Sequence, residues 1–306
     1  MTENVKAIDI ADSTAGSLIG LAVGDAVGTT LEFQPRGTFK PIKDMVGGGP
    51  FRLNAGEWTD DTSMALCLAQ SLIQNNKFDP VDQMNRYCNW YRLGYMSSNG
   101  KCFDIGNTVS SALIAYLRTK DPFSGPRGEL SAGNGSLMRL APISIFFHEN
   151  PKDAIFYAGE SSRTTHGAEE CIDACRAFSA MLLNAYSGTS KKQILTETKY
   201  SASTKKVSSI MKGDYLTSSY DQLTGSGYVI ESLESALWCF NNSDSFDSAV
   251  LLAANIGNDA DTTAAICGQI AGAFYGLSNI PESWKQKLVM YEKILEMANQ
   301  LTNKRH

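Results

Sequence analysis

The sequence lacks the features that mark several large classes of protein. Its longest apolar runs, residues 18–27 and 249–256, fall short of the roughly 20 residues that a membrane span needs. Lysine and arginine total 27 against 32 acidic residues and form no cluster, so neither nucleic acid nor a membrane surface is an expected partner. No GxxxxGK(S/T) loop supports hydrolysis of a nucleoside triphosphate, and the three histidines lie in no local Ser-His-Asp signature.

Cysteine is present, but its pattern does not suit a disulfide framework. The seven cysteines are odd in number, scattered and mostly set among apolar neighbours, which is typical of reduced core thiols. Cys171 and Cys175 lie one helical turn apart, but no second pair of cysteines or histidines completes a zinc site, so we interpret them as core residues. This cysteine usage predicts a cytoplasmic protein.

The overall composition is that of a soluble globular protein. The chain has 306 residues, of which 43% are hydrophobic and 19% are charged. We expect one domain spanning residues 1–306, with its core between about residues 13 and 302. Apolar residues recur at helical spacing and no segment alternates with period two, which predicts an all-α fold. The predicted helices cover residues 13–28, 62–75, 81–93, 108–118, 151–161, 168–186, 190–199, 227–240, 245–256, 261–275 and 281–301.

Glycine spacing and loop length single out parts of this pattern. One predicted helix carries glycine at positions 16, 20, 24 and 28, and another carries it at 268, 272 and 276. Glycine inside a helix costs about 0.5–1 kcal/mol relative to alanine, so these strips predict close backbone approach to another helix rather than ligand contact. Two long irregular stretches, 33–58 and 121–135, are expected to be functional, and the polar stretch 187–219 is a candidate insertion.

Two acidic clusters begin predicted helices about two hundred residues apart in the chain. The first is Thr59-Asp60-Asp61-Thr62, and the second is Asn258-Asp259-Ala260-Asp261-Thr262-Thr263. Helix capping is one explanation, because Asp and Thr are favoured at N-caps. Capping needs only one short polar side chain, however, and no lysine or arginine lies within six residues of these aspartates to offset the repulsion between their charges.

A metal ion is the economical counter-charge for these clusters. The ligands are oxygen only, which favours Mg²⁺ or Mn²⁺, or Ca²⁺, over zinc or copper. A calcium EF-hand is excluded, because the sixth and twelfth positions counted from Asp259 are Ala264 and Ile270. Four carboxylates from two distant segments could hold two metal ions, an arrangement that activates water or organises an oxygen-rich substrate.

Several short motifs, in this order along the chain, resemble those of the ADP-ribosylglycohydrolase family. They are Gly20-Leu-Ala-Val-Gly24-Asp25-Ala-Val-Gly28 with Glu32, Trp58-Thr-Asp-Asp-Thr62, Gly133-Asn-Gly-Ser-Leu-Met-Arg139-Leu-Ala-Pro142, Thr165-His166 and Asn258-Asp-Ala-Asp-Thr262. Asp104-Ile-Gly-Asn107-Thr is most similar to the branch of the dinitrogenase reductase-activating glycohydrolase. The motifs extend from about residue 15 to 276, which is nearly the whole chain.

The resemblance implies a fold, a metal centre and a reaction. The fold would be a compact orthogonal bundle of helices with a cleft that holds two divalent ions, Mg²⁺ or Mn²⁺. The reaction would cleave the N-glycosidic bond between the distal ribose of ADP-ribose and a protein side chain, usually arginine in this branch. By similarity, the metal ligands would be Thr59, Asp60, Asp61, Asp259, Asp261 and Thr262.

Glycosidic cleavage also needs a carboxyl group that transfers protons, and two residues match family positions. Asp104 is the candidate acid/base group, and Glu32 is a candidate catalytic carboxylate near the metal or the substrate. Without the resemblance, Asp104 could be an N-cap and Glu32 a solvated loop residue. The sequence does not divide the catalytic work between them.

Six further residues are candidate substrate contacts. Gly133, Asn134 and Gly135 precede a predicted helix start and could present N–H groups to a phosphate, or could form an ordinary turn. Each of the other three also has a structural alternative: Asn107 as a first-turn polar residue, His166 as a structural histidine and Trp58 as a core residue.

The sequence therefore predicts a metal-dependent monomer that removes ADP-ribose from an ADP-ribosylated protein and releases ADP-ribose. Hydrolysis of O-linked ADP-ribose conjugates is an alternative within the same chemistry. A non-catalytic protein that binds modified targets or neutralises an ADP-ribosylating toxin is an alternative of a different class. The short segment before Ser13 offers little material for blocking such a toxin.

Overall fold

The computed structural model describes residues 9–304, and this part of the chain is helical. It contains fourteen α-helices and no β-strand, apart from the isolated bridges Gly48–Leu53 and Gly133–Tyr228. The prediction of an all-α fold is confirmed. The α-helices are α1 (Ile10–Gly28), α2 (Asp60–Asn75), α3 (Pro80–Leu93), α4 (Asn107–Thr119), α5 (Ala141–Phe146), α6 (Pro151–Thr165), α7 (Glu169–Tyr186), α8 (Lys191–Thr196), α9 (Lys205–Lys212), α10 (Val229–Asn241), α11 (Phe246–Ala254), α12 (Ala260–Tyr275), α13 (Glu282–Lys287) and α14 (Tyr291–Thr302).

The two glycine-rich helices, α1 and α12, pack directly on one another at the centre of the molecule. A Cβ atom built on Gly20 would lie 2.2 Å from the carbonyl oxygen of Gly268, and one on Gly16 would lie 2.3 Å from that of Gly272. Further along, Gly28 makes the same approach to Ala260, at 2.4 Å. Residue numbers rise along one helix as they fall along the other, so the helices are antiparallel. The glycine prediction is confirmed, and the contact brings the end of α1 to the beginning of α12.

Helix α1 is apolar on every side because other elements surround it. The segment Ile10–Leu31 is long and apolar enough to cross a membrane, with a mean hydropathy of 1.2. However, 83% of its most apolar stretch is buried inside the structure. Burial of this kind is typical of the central helix of a packed core. The apolar run read from the sequence is shorter because the buried threonines and serines of the first turns interrupt it.

Several helix boundaries differ from those predicted. Residues 281–301 form two helices, α13 and α14, because the chain turns between them at Met290, which has a left-handed φ of 54°. Two helices were not predicted: the six-residue α5, and α9 within the polar stretch 187–219. Thr204 and Asp173 both hold the start of α9, since Asp173 accepts hydrogen bonds from the backbone N–H groups of Ser203 and Thr204.

The long segment between α1 and α2 is irregular but anchored. A tight hairpin forms where Gly48 and Leu53 exchange two backbone hydrogen bonds of 2.7 and 2.9 Å. Asp44 forms an ion pair with Lys287 at 2.9 Å, which ties the segment to α13. The segment therefore approaches α2 along a fixed path, and α2 begins beside the end of α1.

Candidate active site

The two acidic clusters lie side by side at the first turns of α2 and α12. The Thr59 hydroxyl donates a hydrogen bond to Asp261 Oδ2 at 3.1 Å, and the Thr262 hydroxyl donates one to Asp61 Oδ2 at 3.4 Å. These contacts connect residues more than two hundred positions apart, at the place where the α1–α12 contact and the irregular segment bring them together. The prediction that the clusters meet is confirmed.

The clusters do not serve as helix caps. Neither Thr59 nor Asp259, the N-cap residues of α2 and α12, makes a side-chain capping bond. The caps come from the end of α1 instead: Asp25 accepts hydrogen bonds from the N–H groups of Thr59 and Thr62, and Glu32 accepts one from Ala260 at 2.8 Å. Capping by the N-cap residues therefore does not explain why each cluster holds two carboxylates.

These acidic residues form two groups that suit a metal ion. Ligand oxygens of Asp25, Asp61 and Asp261 lie within 4.8 Å of one another, as do those of Glu32, Asp259 and Asp261. Asp61 Oδ1 is buried without a hydrogen-bond partner among the described residues. None of the ion pairs between residues 9 and 304 involves these carboxylates. A buried carboxylate oxygen without a partner is unfavourable unless a cation occupies the site, so the residues fit an oxygen-bound divalent metal.

The pKa values of the cluster reflect this crowding of like charges. Burial raises the pKa of Asp60, Asp61 and Asp261 well above the usual range, and neighbouring carboxylates raise it further. Burial also raises the pKa of Glu32 to about 8 and that of Asp104 to about 7. Each carboxylate thus favours a proton or a metal ion as its neighbour.

A cavity of about 980 Å³ opens directly onto the acidic residues. No lysine or arginine is among the described residues that line it, so its wall is acidic and otherwise neutral. Thr59 and Asp61 are fully buried behind the wall. The sequence-predicted residues that do line the cavity are Glu32, Asp60, Asp104, Asn107, Gly133, Asn134, Gly135, His166, Asp259, Asp261 and Thr262.

Asp104 lies in the wall, not at a helix start. Its φ is 59°, in the left-handed region that non-glycine residues rarely adopt. The N-cap of α4 is Gly106, which makes no side-chain capping bond. Capping therefore does not explain Asp104, and its unusual backbone directs a partly buried carboxyl into the cavity.

The Gly133–Gly135 turn forms part of the wall, but no helix follows it directly. Residues 135–139 form turns, and α5 begins only at Ala141, so the expected helix start beside the phosphate is wrong. The N–H of Asn134 donates to the carbonyl of Gly227 at 3.0 Å, and its side chain donates to Asp259 at 2.9 Å. Asn134 thus supports the acidic cluster.

His166 contributes one edge of the cavity as a neutral imidazole. A Cβ atom on Gly135 would lie 2.8 Å from His166 Cε1, so a larger residue at position 135 would collide with the imidazole ring. Nδ1 lies 2.9 Å from the Thr165 hydroxyl. Burial, and then the positive charge of Arg139, lower the pKa of His166 to about 3, so the ring can offer a hydrogen bond but no charge.

Trp58 does not line the cavity, and its expected substrate contact is not supported. Its side chain is fully buried in the hydrophobic core, while its carbonyl accepts a hydrogen bond of 2.6 Å from Ser98. The core alternative fits this position, because the residue immediately before the cluster packs inward and anchors the first turn of α2.

Other residues of the site were not singled out from the sequence. Asp25 is the only charged residue between positions 13 and 28, and an isolated acid in an apolar helix could have identified it. The turn Gly225-Ser226-Gly227 lines the cavity beside Asn134, whose N–H donates a hydrogen bond to the Gly227 carbonyl. Its Gly-x-Gly spacing is the same as that of residues 133–135, and this similarity could have identified it as part of the site.

Comparison with a protein-family model gives a match over nearly the whole chain. The model is that of ADP-ribosylglycohydrolase, and residues 6–306 match it. A solved structure described as an ADP-ribosylglycohydrolase-related protein complex superposes with a TM-score of 0.84 at 39% sequence identity. The match covers 96% of this chain and 98% of that chain.

Similar curated proteins agree with this match. The chain is 46% identical over 290 residues to ADP-ribosylarginine hydrolase Tri1 of Pseudomonas putida (strain GB-1), which covers 95% of this chain and 78% of the relative. It is 30% identical over 285 residues to the ADP-ribosyl-dinitrogen reductase glycohydrolase of Rhodospirillum rubrum, covering 91% of each chain. The predicted likeness to the latter branch is confirmed, and the Tri1 relative matches at higher identity.

Proposed function

This chain belongs to the ADP-ribosylglycohydrolase family, and we propose that it removes ADP-ribose from arginine side chains of modified proteins. The reaction breaks the bond between the anomeric carbon of the distal ribose and a guanidinium nitrogen. Water supplies the hydroxyl group that joins the carbon, and the nitrogen receives a proton. The name of the 46% identical relative, an ADP-ribosylarginine hydrolase, supports arginine as the modified residue.

The observation that carries the proposal is the joining of two acidic clusters at one end of a large cavity. A volume of about 980 Å³ lies at the upper end of the usual range for small-molecule sites, roughly 300–1,000 Å³, and suits a ligand as large as ADP-ribose. Five carboxyl-bearing residues line one end, where glycosidic cleavage needs acids and bases. The remainder of the wall consists of glycine turns, amides, hydroxyl groups, the His166 imidazole and apolar side chains.

The metal ligands in this proposal are Asp60, Asp61, Asp259, Asp261, Thr59 and Thr262, with Asp25 and Glu32 beside them. Two ions, Mg²⁺ or Mn²⁺, suit the two oxygen groups found here. When bound, such ions supply Lewis acidity that lowers the pKa of water and binds ribose hydroxyl groups. Asp25 is already saturated with hydrogen bonds from Thr59 and Thr62, so we assign it chiefly to holding these groups in position.

Asp104 would transfer the proton, and Glu32 would orient the reacting groups. Burial raises the pKa of Asp104 to about 7 in the metal-free protein, and its carboxyl group lines the cavity, where a general acid/base group must reach the substrate. Glu32 has one oxygen committed to the N-terminus of α12, and its side chain still lines the cavity. We therefore keep Asp104 as the acid/base group and Glu32 as the carboxylate that orients ribose or water.

The neutral part of the wall suits a diphosphate. Residues 106–109 at the start of α4 line the cavity, and the N-cap residue, Gly106, has no side chain that could accept hydrogen bonds from the first-turn N–H groups. Backbone N–H groups at a helix start, together with the helix dipole, attract anions without a lysine or arginine. Asn107 and the neutral His166 are the side chains that we expect to hydrogen-bond there.

Two further parts of the proposal concern the state of the protein. We propose a cytoplasmic location, because all seven cysteines are free thiols and six of them are buried. We also propose that the protein acts as a monomer, since its acidic cluster and cavity are built from one chain. Size-exclusion chromatography with light scattering tests the second point.

The decisive experiment compares three substrates with the purified chain. They are a protein ADP-ribosylated on arginine, free ADP-ribosylarginine and an O-linked ADP-ribose ester, each incubated with Mg²⁺ or Mn²⁺ and then with excess EDTA. Release of ADP-ribose from both arginine substrates, abolished by EDTA, supports the proposal. Release from the ester alone supports the O-linked alternative, and retention of every modification supports a binding role.

Variants test whether the acidic clusters are required for the release of ADP-ribose. Asp60→Asn and Asp261→Asn should abolish release, because each removes a metal ligand that lines the cavity. Asp121→Asn is the matched control, since Asp121 is exposed and lies outside the cavity lining. Equal activity of the Asp60→Asn variant and the control would contradict the assignment.

A further inference from the structure

A row of three phenylalanines extends from the edge of the cavity onto the surface. The Phe33 and Phe51 ring centroids lie 6.2 Å apart with the rings edge to face, and those of Phe51 and Phe103 lie 5.2 Å apart. Phe33 lines the cavity and is 64% exposed. Phe51 and Phe103 are partly exposed and lie outside the cavity lining. We name these three residues the aromatic rim.

The backbone holds the rim in place. Phe33 has a φ of 61°, a conformation that is costly for a bulky residue and is kept only when surrounding bonds impose it. Two such bonds are present: Phe33 N–H donates to the Asn258 carbonyl at 2.7 Å, and Asn258 N–H donates to the Gln34 carbonyl at 2.8 Å. Phe51 lies in the tight hairpin between Gly48 and Leu53. An exposed ring on a strained, braced backbone is not explained by burial in a core.

The rim lies at the reactive end of the cavity. Phe33 directly follows Glu32 in the sequence and lines the cavity with it, and Phe103 directly precedes Asp104, which also lines the cavity. An arginine whose glycosidic bond lies beside these carboxylates would leave the cavity on the side where Phe33 lines it.

A folded protein is too large to enter a cavity of about 980 Å³, so only its modified side chain can do so. The residues that flank this arginine must rest on the surface around the opening. Exposed aromatic side chains that are rigid and clustered are typical of protein contact sites. The rim segments add positive charge, since Arg52 and Lys101 are exposed and each lies next to or near a rim phenylalanine in the sequence.

We propose that the aromatic rim is the docking surface for the protein that carries the ADP-ribosylated arginine. This inference rests on the proposed function and adds a division of labour: the cavity binds ADP-ribose, and the rim binds the protein. The surface suits a segment with an apolar residue beside the modified arginine and acidic residues next to it.

Phe51→Ala tests the proposal, because Phe51 lies in the rim but outside the cavity. The substrates are a set of folded proteins labelled on arginine, some with acidic and apolar neighbours beside the label, and free ADP-ribosylarginine. We expect kcat/KM for the best protein substrate to fall about tenfold, which is the loss expected when an interface residue of moderate binding energy is truncated. We expect kcat/KM for ADP-ribosylarginine to stay within about twofold of the wild-type value. Phe156→Ala is the matched control, since Phe156 is an exposed phenylalanine on α6 outside the cavity lining.

Each outcome of this experiment is informative. A ratio of kcat/KM between the protein and the small substrate that does not change in Phe51→Ala, whether both values stay the same or both fall equally, would overturn the docking surface. Recovery of the ratio in Phe51→Leu would support an apolar contact. A wild-type enzyme that releases ADP-ribose from neither substrate would instead contradict the proposed function, so the two failures are distinguishable. Melting temperatures of both alanine variants verify that the fold is retained.

Discussion

The carboxylate of Glu32 accepts a hydrogen bond of 2.8 Å from the backbone N–H of Ala260, so a residue just after α1 caps the helix that carries the second acidic cluster. Asp25 does the same for α2 through Thr59 and Thr62. Both metal-binding helix starts are therefore held by acids from one segment. The geometry of the site depends on where α1 ends, and this in turn depends on how α1 packs against α12.

Substitution of Glu32 should separate its capping role from its role in turnover. Glu32→Gln keeps an oxygen that can accept from Ala260, whereas Glu32→Ala removes it. Both variants should lose about a hundredfold or more in kcat, as expected when a proton-transferring or orienting carboxylate is removed. Only Glu32→Ala should also lose about 1 kcal/mol of unfolding free energy through loss of the cap. Urea unfolding and steady-state hydrolysis provide the two readouts, and full activity of Glu32→Gln would refute the assignment.

Gly20→Ala should be strongly destabilising. The new methyl group would lie 2.2 Å from the Gly268 carbonyl oxygen, and neither backbone can yield without separating α1 from α12. We expect a loss of about 3 kcal/mol or more, at or above the upper end for overpacking, which thermal unfolding would measure. Gly128→Ala is the control: its Cβ would meet nothing closer than 3.9 Å, so its stability should change little. Similar melting temperatures for the two variants would contradict this account of the helix pair.

Much of the site could be predicted because its chemistry is local in the sequence. Asp60-Asp61 and Asp259-Ala260-Asp261 each place two acids within one helical turn, which is one more than capping needs and so indicates a further function. The glycine strips likewise recur at the helical period. Neither pattern reveals its partner, however. That α1 packs on α12 in antiparallel register depends on matching four contact positions that are distant in sequence.

The parts that could not be predicted depend on single residues in irregular backbone. Asp104 and Phe33 both adopt left-handed φ values that no propensity indicates for these residue types. The break between α13 and α14 at Met290 lacks a proline or a glycine, so the apolar periodicity of residues 281–301 continues across it. The position of Trp58 next to the cluster predicts a site residue, but adjacent side chains at a helix start point in different directions, and that of Trp58 points into the core.

Divalent metal should stabilise the protein, and more so at higher pH. The folded-state pKa values of Glu32 and Asp104, about 8 and about 7, exceed the ordinary carboxyl values of 4.5 and 3.8. In the metal-free protein these two carboxyl groups therefore contribute to the free energy of unfolding while they are protonated. This contribution is fully present below about pH 4 and is lost as the pH rises to between 7 and 8. Metal ions bind the deprotonated carboxylates and offset this loss.

Differential scanning fluorimetry measures the effect. We expect the melting temperature of EDTA-treated protein to fall between pH 5 and pH 8, and saturating Mg²⁺ or Mn²⁺ to raise it by more at pH 8 than at pH 5. Asp61→Asn should remove most of the metal-dependent increase, because Asp61 Oδ1 has no hydrogen-bond partner among the described residues. A metal-dependent increase that is equal at both pH values would exclude this linkage.

His166 should contribute a pH dependence of opposite sign. Burial and the Arg139 charge hold its pKa at about 3, against 6.5 for an ordinary imidazole, so the folded protein keeps the ring neutral. Between pH 6.5 and pH 3 the imidazole binds a proton in the unfolded chain but not in the folded chain. The contribution of His166 to stability is therefore complete above pH 6.5 and falls as the pH drops towards 3.

The variant His166→Gln has no group that titrates at this position. Between pH 7 and pH 5 the wild type should therefore lose about 2 kcal/mol more unfolding free energy than the variant. The acidic cluster is the same in both proteins, so its own pH dependence cancels in the difference. Parallel pH profiles in urea unfolding would mean that the folded imidazole takes up its proton with the ordinary pKa of 6.5, and His166 could then attract a phosphate by charge below that pH.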